Sequence, residues 1–162
     1  YIASWATQKD YRANPLHFSN DYFLAELTGT YRQYSLGAGY EVLQGNGIKG
    51  FTTPFATLHR FQGWADKFLA TPVNGIEDLY ANAGYMKKGV GPLETLGLTA
   101  SWHDFKSERL SIDYGSELDL QLQGKYRRFT GTLKYSHYNA AATTPAAVRD
   151  TDKLWVQLDF VW

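Results

Sequence analysis

The chain of 162 residues carries 16 Lys and Arg against 16 Asp and Glu, so no global charge draws it to nucleic acid or to a strongly anionic partner. It has no cysteine, which removes disulfides and thiolate metal sites, and no apolar run of about 18 residues, which excludes a transmembrane helix. Its length fits one domain, and 12 Tyr, 5 Trp and 15 Gly beside only 5 Pro favour strands and tight turns.

Residues 1–11 alternate weakly, with Tyr1, Ala3 and Trp5 on one side, and are read as a first strand; Tyr1 in place of an initiator Met reads as a processed or truncated start. Asn14-Pro15 and Ser19-Asn20 mark a loop. In the strand 22–31, Phe23, Ala25, Leu27, Gly29 and Tyr31 oppose Tyr22, Leu24, Glu26, Thr28 and Thr30. Only Arg32-Gln33 separates it from a third strand whose apolar face is Tyr34, Leu36, Ala38, Tyr40 and Val42, so the two form a hairpin.

Residues 44–75 break the period of two. Thr53-Pro54 reads as an N-cap with proline at the first helical position. Phe55, Leu58, Phe61 or Gln62, Ala65, Phe68 and Leu69 then recur at three- and four-residue spacing until Pro72. The pattern predicts a short amphipathic helix inside a long external loop, and a loop of this length in a compact chain is more often functional than filler.

Alternation returns at 77–87 (Leu79, Ala81, Ala83, Tyr85), turns through 88–92, and continues in a fifth strand through Leu96, Leu98, Ala100 and Trp102. A charged loop is expected over Asp104 to Tyr114. The sixth strand sets Leu118, Leu120, Leu122, Gly124 and Tyr126 against Glu117, Asp119, Gln121, Gln123 and Lys125; after Arg127-Arg128 the seventh carries Phe129, Gly131, Leu133 and Tyr135. Asn139 to Asp152 reads as a loop. The last ten residues, Lys153 to Trp162, place Leu154, Val156, Leu158, Phe160 and Trp162 on one face, with Lys153, Gln157, Asp159 and the apolar exception Trp155 on the other. This segment resembles the closing strand of bacterial outer-membrane barrels, which alternates apolar residues and ends in Phe or Trp.

Connections after the odd strands are long and those after the even strands short. In an antiparallel meander every long loop then lies at one end, which is the plan of an outer-membrane barrel. The expected fold is all-β, an antiparallel up-and-down transmembrane β-barrel with eight strands in this chain. A water-soluble barrel shares the period with its faces reversed. Lipid outside is favoured here because Glu26, Glu41, Asp119, Lys125, Lys134 and Asp159 share the polar face, which would then line the lumen. Tyr31, Tyr34, Tyr126, Phe129 and Trp162 beside the short turns, and Phe23, Tyr40 and Trp102 nearer the long loops, would form two aromatic belts.

Within that lumen Glu26 falls opposite Gly39 and diagonal to Glu41, a pair of carboxylates that would meet a cation or a facing basic group, or simply stay solvated or ion-paired. Lys134 opposite Gln121 and diagonal to Asp119 predicts an ion pair. Of the histidines, His103 and His137 have serine neighbours, Ser101 and Ser136; strand alternation is expected to hold each pair apart, and neither an enzyme, a metal site nor a cofactor is expected. In the loop, Arg60, Trp64 and Lys67 would constrict a pore or stack on a sugar ring, or else Phe55, Leu58, Phe61 and Phe68 merely cap the mouth.

The run Gly50-Phe51-Thr52-Thr53-Pro54-Phe55-Ala56-Thr57-Leu58-His59-Arg60-Phe61-Gln62-Gly63-Trp64-Ala65-Asp66-Lys67-Phe68-Leu69, with Gly45-Asn46-Gly47 before it, Thr71-Pro72 and Asn74-Gly75 after it, and Gly39-Tyr40-Glu41 and Asp78-Leu79-Tyr80 at its flanks, resembles the long-loop signature of the alginate-export porin family of Gram-negative outer membranes. The resemblance spans most of the chain and is strongest over 36–80. It implies a larger barrel, of roughly twice this strand number, of which these strands would be the C-terminal part. It further implies contact with membrane lipid and lipopolysaccharide, further barrel strands or a partner subunit, and passage of a small solute or saccharide. The mixed charge of the expected lumen, Lys125, Arg127 and Lys134 beside Glu26, Glu41, Glu117 and Asp119, does not argue for a polyanion as that solute. A non-conducting structural barrel is the alternative, and a lipid-modifying outer-membrane enzyme a more distant one.

Overall fold

A computed structural model describes residues 1–54, 61–144 and 148–162. Its strands are β1 (Ile2–Lys9), β2 (Ser19–Tyr31), β3 (Tyr34–Leu43), β4 (Ile76–Val90), β5 (Leu93–Lys106), β6 (Asp113–Tyr126), β7 (Phe129–Asn139) and β8 (Thr151–Phe160). Each pairs antiparallel with the next, giving one up-and-down sheet in chain order. The sheet is not closed: among the described residues β1 pairs with β2 alone and β8 with β7 alone.

The short turns 32–33, 91–92 and 127–128 lie at one end and the connections 10–18, 44–75, 107–112 and 140–150 at the other. Two of the short turns are built alike. Tyr31 faces Tyr34 and Tyr126 faces Phe129 across the closing pair, and the first turn residue, Arg32 (φ 55°) or Arg127 (φ 53°), adopts the left-handed conformation. Each guanidinium then lies over the tyrosine before it, at 5.2 Å from the ring centroid.

The charged segment expected as a loop over 104–114 is strand at both ends, through Lys106 and from Asp113, and only 107–112 turns. Three of its five charged residues, Asp104, Lys106 and Asp113, stand on strand ends: Lys106 pairs with Asp104 at 3.1 Å, while Phe105 between them points inward and is fully buried. Ser107 Oγ closes the turn by accepting the Ile112 N–H (2.7 Å) and donating to the Arg109 carbonyl (2.6 Å).

Register carries one face across the whole sheet. Leu27, Ala38, Ala81, Trp102 and Leu118 form one row of neighbours, Leu36, Ala83, Ala100, Leu120, Tyr135 and Leu154 the next, and Tyr31, Tyr34, Tyr85, Leu98, Leu122, Leu133 and Val156 a third. This apolar face is open, with Leu36 69 % and Val156 80 % exposed. The opposite face carries Glu41, Asp78, Glu117 and Asp119, none more than 2 % exposed. That is the reverse of a water-soluble sheet, whose apolar face is the covered one.

What covers the polar face is the 44–75 connection. The predicted helix is not formed where it is described: 61–70 is a succession of turns and bends, and 55–60 lies outside the described residues. Gln62 (φ 55°), Gly63 (φ 75°) and Asp66 (φ 57°) are left-handed, which no right-handed helix accommodates. The helical spacing of the apolar residues is overridden because the segment is tied in turn to Glu41 on β3, to Asp119 and Glu117 on β6 and to Lys153 on β8. At the long-loop end the inner face turns apolar, and Leu43, Ile76, Phe105, Tyr114 and Tyr138 form a core around Phe68 and Ala65. Phe68 lies 4.9 Å from Phe105, 5.7 Å from Tyr114 and 6.1 Å from Tyr138, centroid to centroid.

Candidate functional site

The segment 62–68 is a strap laid across the inner face from β3 to β8, a span of roughly 24 Å if strands lie 4.8 Å apart. Its sequence anchors it residue by residue. Gln62 Nε2 donates to Glu41 Oε2 on β3 (2.7 Å), and the Tyr22 hydroxyl donates to the other Glu41 oxygen (2.9 Å). The backbone N–H of Trp64 donates to Asp119 (3.2 Å) and that of Ala65 to Glu117 (2.7 Å), both on β6. Asp66 meets Lys153 on β8 at 3.1 Å, and Lys67 donates to Thr151 Oγ1. Burial, and then the nearby Lys153, holds the Lys67 ammonium below the ordinary lysine pKa.

Gly63 is where the strap touches the wall. A Cβ there would sit 2.5 Å from the Glu117 carboxyl carbon and from Oε1, so space favours glycine and the φ of 75° adds to the preference. Beneath the strap, His103 Nδ1 lies 3.0 and 2.9 Å from the two Asp78 oxygens and its Nε2 lies 3.9 Å from Asp119. Its ring stacks between Tyr80 (5.4 Å) and Phe105 (5.6 Å). Tyr80 reaches across Gly39, where a Cβ would lie 2.2 Å from its ring, to donate its hydroxyl to Glu26 (2.7 Å). Ser136 donates to Glu117 (2.8 Å). Two buried oxygens beneath the strap, Glu117 Oε2 and Asp119 Oδ1, have no hydrogen-bond partner among the described residues. Among the described residues no group of three or more acidic or histidine side chains is placed to hold a metal ion.

The six residues expected to line a lumen, Glu26, Glu41, Asp119, Lys125, Lys134 and Asp159, fall on one face of the sheet, the polar one. The strap gathers Glu41, Asp119 and Lys134 with Trp64 and Lys67; Glu26 joins through Tyr80. Lys125 and Asp159 lie near the short turns, the first paired with Glu94 (3.0 Å) and the second with Gln157 (2.9 Å). Arg60 lies outside the described residues, as do Phe55 and Leu58. The expected Lys134–Asp119 ion pair is not made: Lys134 places its ammonium 5.0 Å over the Trp64 ring while Asp119 accepts the strap's backbone. Among the described residues Glu26 and Glu41 meet no base: Glu26 accepts from the Tyr80 hydroxyl, and Glu41 from Gln62 and the Tyr22 hydroxyl.

Ser101 and His103 are not held apart by alternation, being two residues apart and on one face, but the His103 ring is taken by Asp78. Ser136 and His137 do point oppositely; His137 Nδ1 lies 2.8 Å from Asp152, which also accepts the Tyr135 hydroxyl (2.6 Å). Asp78, His103 and Gln62 escaped the sequence-based site. Asp78 had a signal, because extending the β2–β3 register one strand further sets it directly opposite Glu41.

Two spaces flank the strap. Trp64, Lys134, Trp155 and Gln157 line a cavity of about 110 Å³, with Lys153 Nζ 5.9 Å from the Trp155 ring. Towards the short turns the inner wall continues as a recess of about 390 Å³ bearing Thr30, Ser35, Thr99, Gln121 and Gln123 together with the cations Arg32 and Lys88, a surface of hydroxyls, amides and positive charge able to hydrogen-bond a hydroxylated solute. The fold thus defines an all-β chain whose single antiparallel sheet holds a polar, strap-covered face and an open apolar one. No protein-family model, no curated protein and no solved structure matches the chain.

Proposed function

We propose that this chain is part of an outer-membrane β-barrel of the porin type, related to the alginate-export family, whose 44–75 strap narrows the passage of small hydroxylated solutes or saccharides. The observation that carries this is the inversion of the sheet, apolar and open on one face, polar and covered on the other. A band of Leu, Val, Ala and Tyr several rows deep suits hydrocarbon, and the aromatic residues at its two margins suit the interfaces. Because unpaired edges are not tolerated in hydrocarbon, the free edges of β1 and β8 call for further strands, of the same chain or of a partner subunit. The long loops would then face outward, towards lipopolysaccharide, and the short turns the periplasm.

The test is planar-bilayer recording on the intact protein with and without residues 52–70. The expected outcome is stepwise current that rises, with altered selectivity, once the strap is removed. Unchanged current and selectivity would refute the constriction, steady insertion without current would favour a non-conducting structural barrel, and failure to enter lipid would overturn the membrane assignment itself.

A further inference from the structure

The short-turn end is basic: of its cations Arg32 and Lys88 border the inner recess, while Lys87, Arg127 and Arg128 do not. Arg32, Lys87, Lys88, Arg127 and Arg128 are exposed there and make no ion pair among the described residues. The acids at this end are occupied, Glu94 by Lys125 and Asp159 by Gln157. Arg32 and Arg127 hold left-handed turn positions that favour glycine, asparagine or aspartate, and each guanidinium is set flat on a tyrosine at the margin of the apolar band. The Gln33 carbonyl accepts the Met86 N–H (2.8 Å), which brings the Arg32 turn beside Lys87.

Lys87 follows Tyr85 on the open apolar face. There Tyr34, Tyr85, Leu98, Ala100, Leu120 and Leu133 line a groove of about 590 Å³, a volume within the range of small-ligand sites. The groove walls carry no charged side chain, and the cations stand at its short-turn end. Together these features match a molecule with a long apolar tail and an anionic head.

We infer that this groove and its rim form a binding site for an anionic glycerophospholipid, the acyl chain lying between Tyr85 and Leu120 and the phosphate held by Arg32 and Lys87, with Arg127 and Arg128 offering a second headgroup contact along the rim. The inference rests on the membrane reading above and adds a preferred lipid to it. A planar guanidinium supported on an aromatic ring presents its N–H groups to phosphate oxygens without a further partner to displace.

The test is native mass spectrometry of the intact protein in a zwitterionic detergent with phosphatidylglycerol or phosphatidylcholine, beside insertion into vesicles of each lipid. Phosphatidylglycerol is expected to be retained preferentially, with the preference falling about fivefold per cation removed in Arg32→Gln and Lys87→Gln and recovering in Arg32→Lys. Ala100→Phe, which fills the groove, should lower retention of both lipids. Equal retention of the two lipids, or an undiminished preference in the Arg32→Gln/Lys87→Gln protein, would overturn the inference while leaving the membrane reading intact. Failure to insert into either vesicle would overturn both.

Discussion

Replacing Gly63 by alanine should release the strap. The new Cβ would lie 2.5 Å from the Glu117 carboxyl carbon, and the residue would have to keep a φ of 75°. A left-handed backbone at a residue with a Cβ costs about 1–2 kcal/mol, and overpacking a buried contact adds about 1–3 kcal/mol. Because Glu117 is also held by Ser136 and by the Ala65 N–H, it has little freedom to move away, so the loss should be roughly 2–4 kcal/mol of docking free energy. The assay is hydrogen exchange at the Trp64 and Ala65 amides, both of which donate to buried carboxylates. Exchange should accelerate by roughly 30- to 700-fold. Gly131→Ala, whose Cβ would meet nothing within 4 Å, is the control and should change neither amide. Protection at Trp64 and Ala65 that survives Gly63→Ala would refute the account of how the strap is held.

Leu120→Arg places a charge in the middle of the open apolar face and should cost about 2–4 kcal/mol of stability in lipid, whereas Gln121→Arg, one residue on and facing inward, should cost little; equal folded fractions of the two in vesicles would contradict the assignment of faces. Phe105→Ala empties a fully buried site against Phe68 and should lower denaturant stability by about 3–5 kcal/mol, and a loss under 1 kcal/mol would mean the strap core is not packed as described. The hydrogen bond from His17, with that from the Phe18 N–H, holds the Asp10 carboxyl below its ordinary pKa. Since that pKa is depressed, the contribution to loop 10–18 is complete above the ordinary carboxylate range and fades as pH falls through the lowered value. His17→Ala should therefore shift the Asp10 midpoint upward in an NMR titration, and an unmoved midpoint would rule out the pairing.

The strands were legible because each satisfies a single demand repeated every two residues, one side apolar and the other not. Leu118 to Tyr126 against Glu117 to Lys125 needs no tertiary knowledge to place. The ends of β5 and β6 were not legible, because Asp104 and Lys106 look like loop residues until Phe105 between them is known to be buried. The strap was misread for a related reason. Its apolar residues have helical spacing, yet what decides its conformation is a set of carboxylates some 20 to 55 residues away in sequence, the Gln62–Glu41 and Trp64–Asp119 contacts being 21 and 55 residues apart. Of the candidate site, the face of each residue followed from alternation, whereas the partner did not: Lys134 lies nearer in register to Asp119 than to anything in the loop, and still takes the Trp64 ring.

The length of the strap's reach also sets an order of assembly. Its last two anchors join residues 84 and 87 positions apart in sequence, Lys67 with Thr151 and Asp66 with Lys153. Every hairpin of the sheet closes over a far shorter stretch, so pairing can run from β2 to β8 with the strap still free, and contacts of large sequence separation come late. A strap anchored along its whole length is therefore a signature of a finished wall: a protein stalled before β8 would lack the Asp66–Lys153 and Lys67–Thr151 anchors, and a protease that cuts near Asp66 and Lys67 would distinguish the stalled form from the complete one.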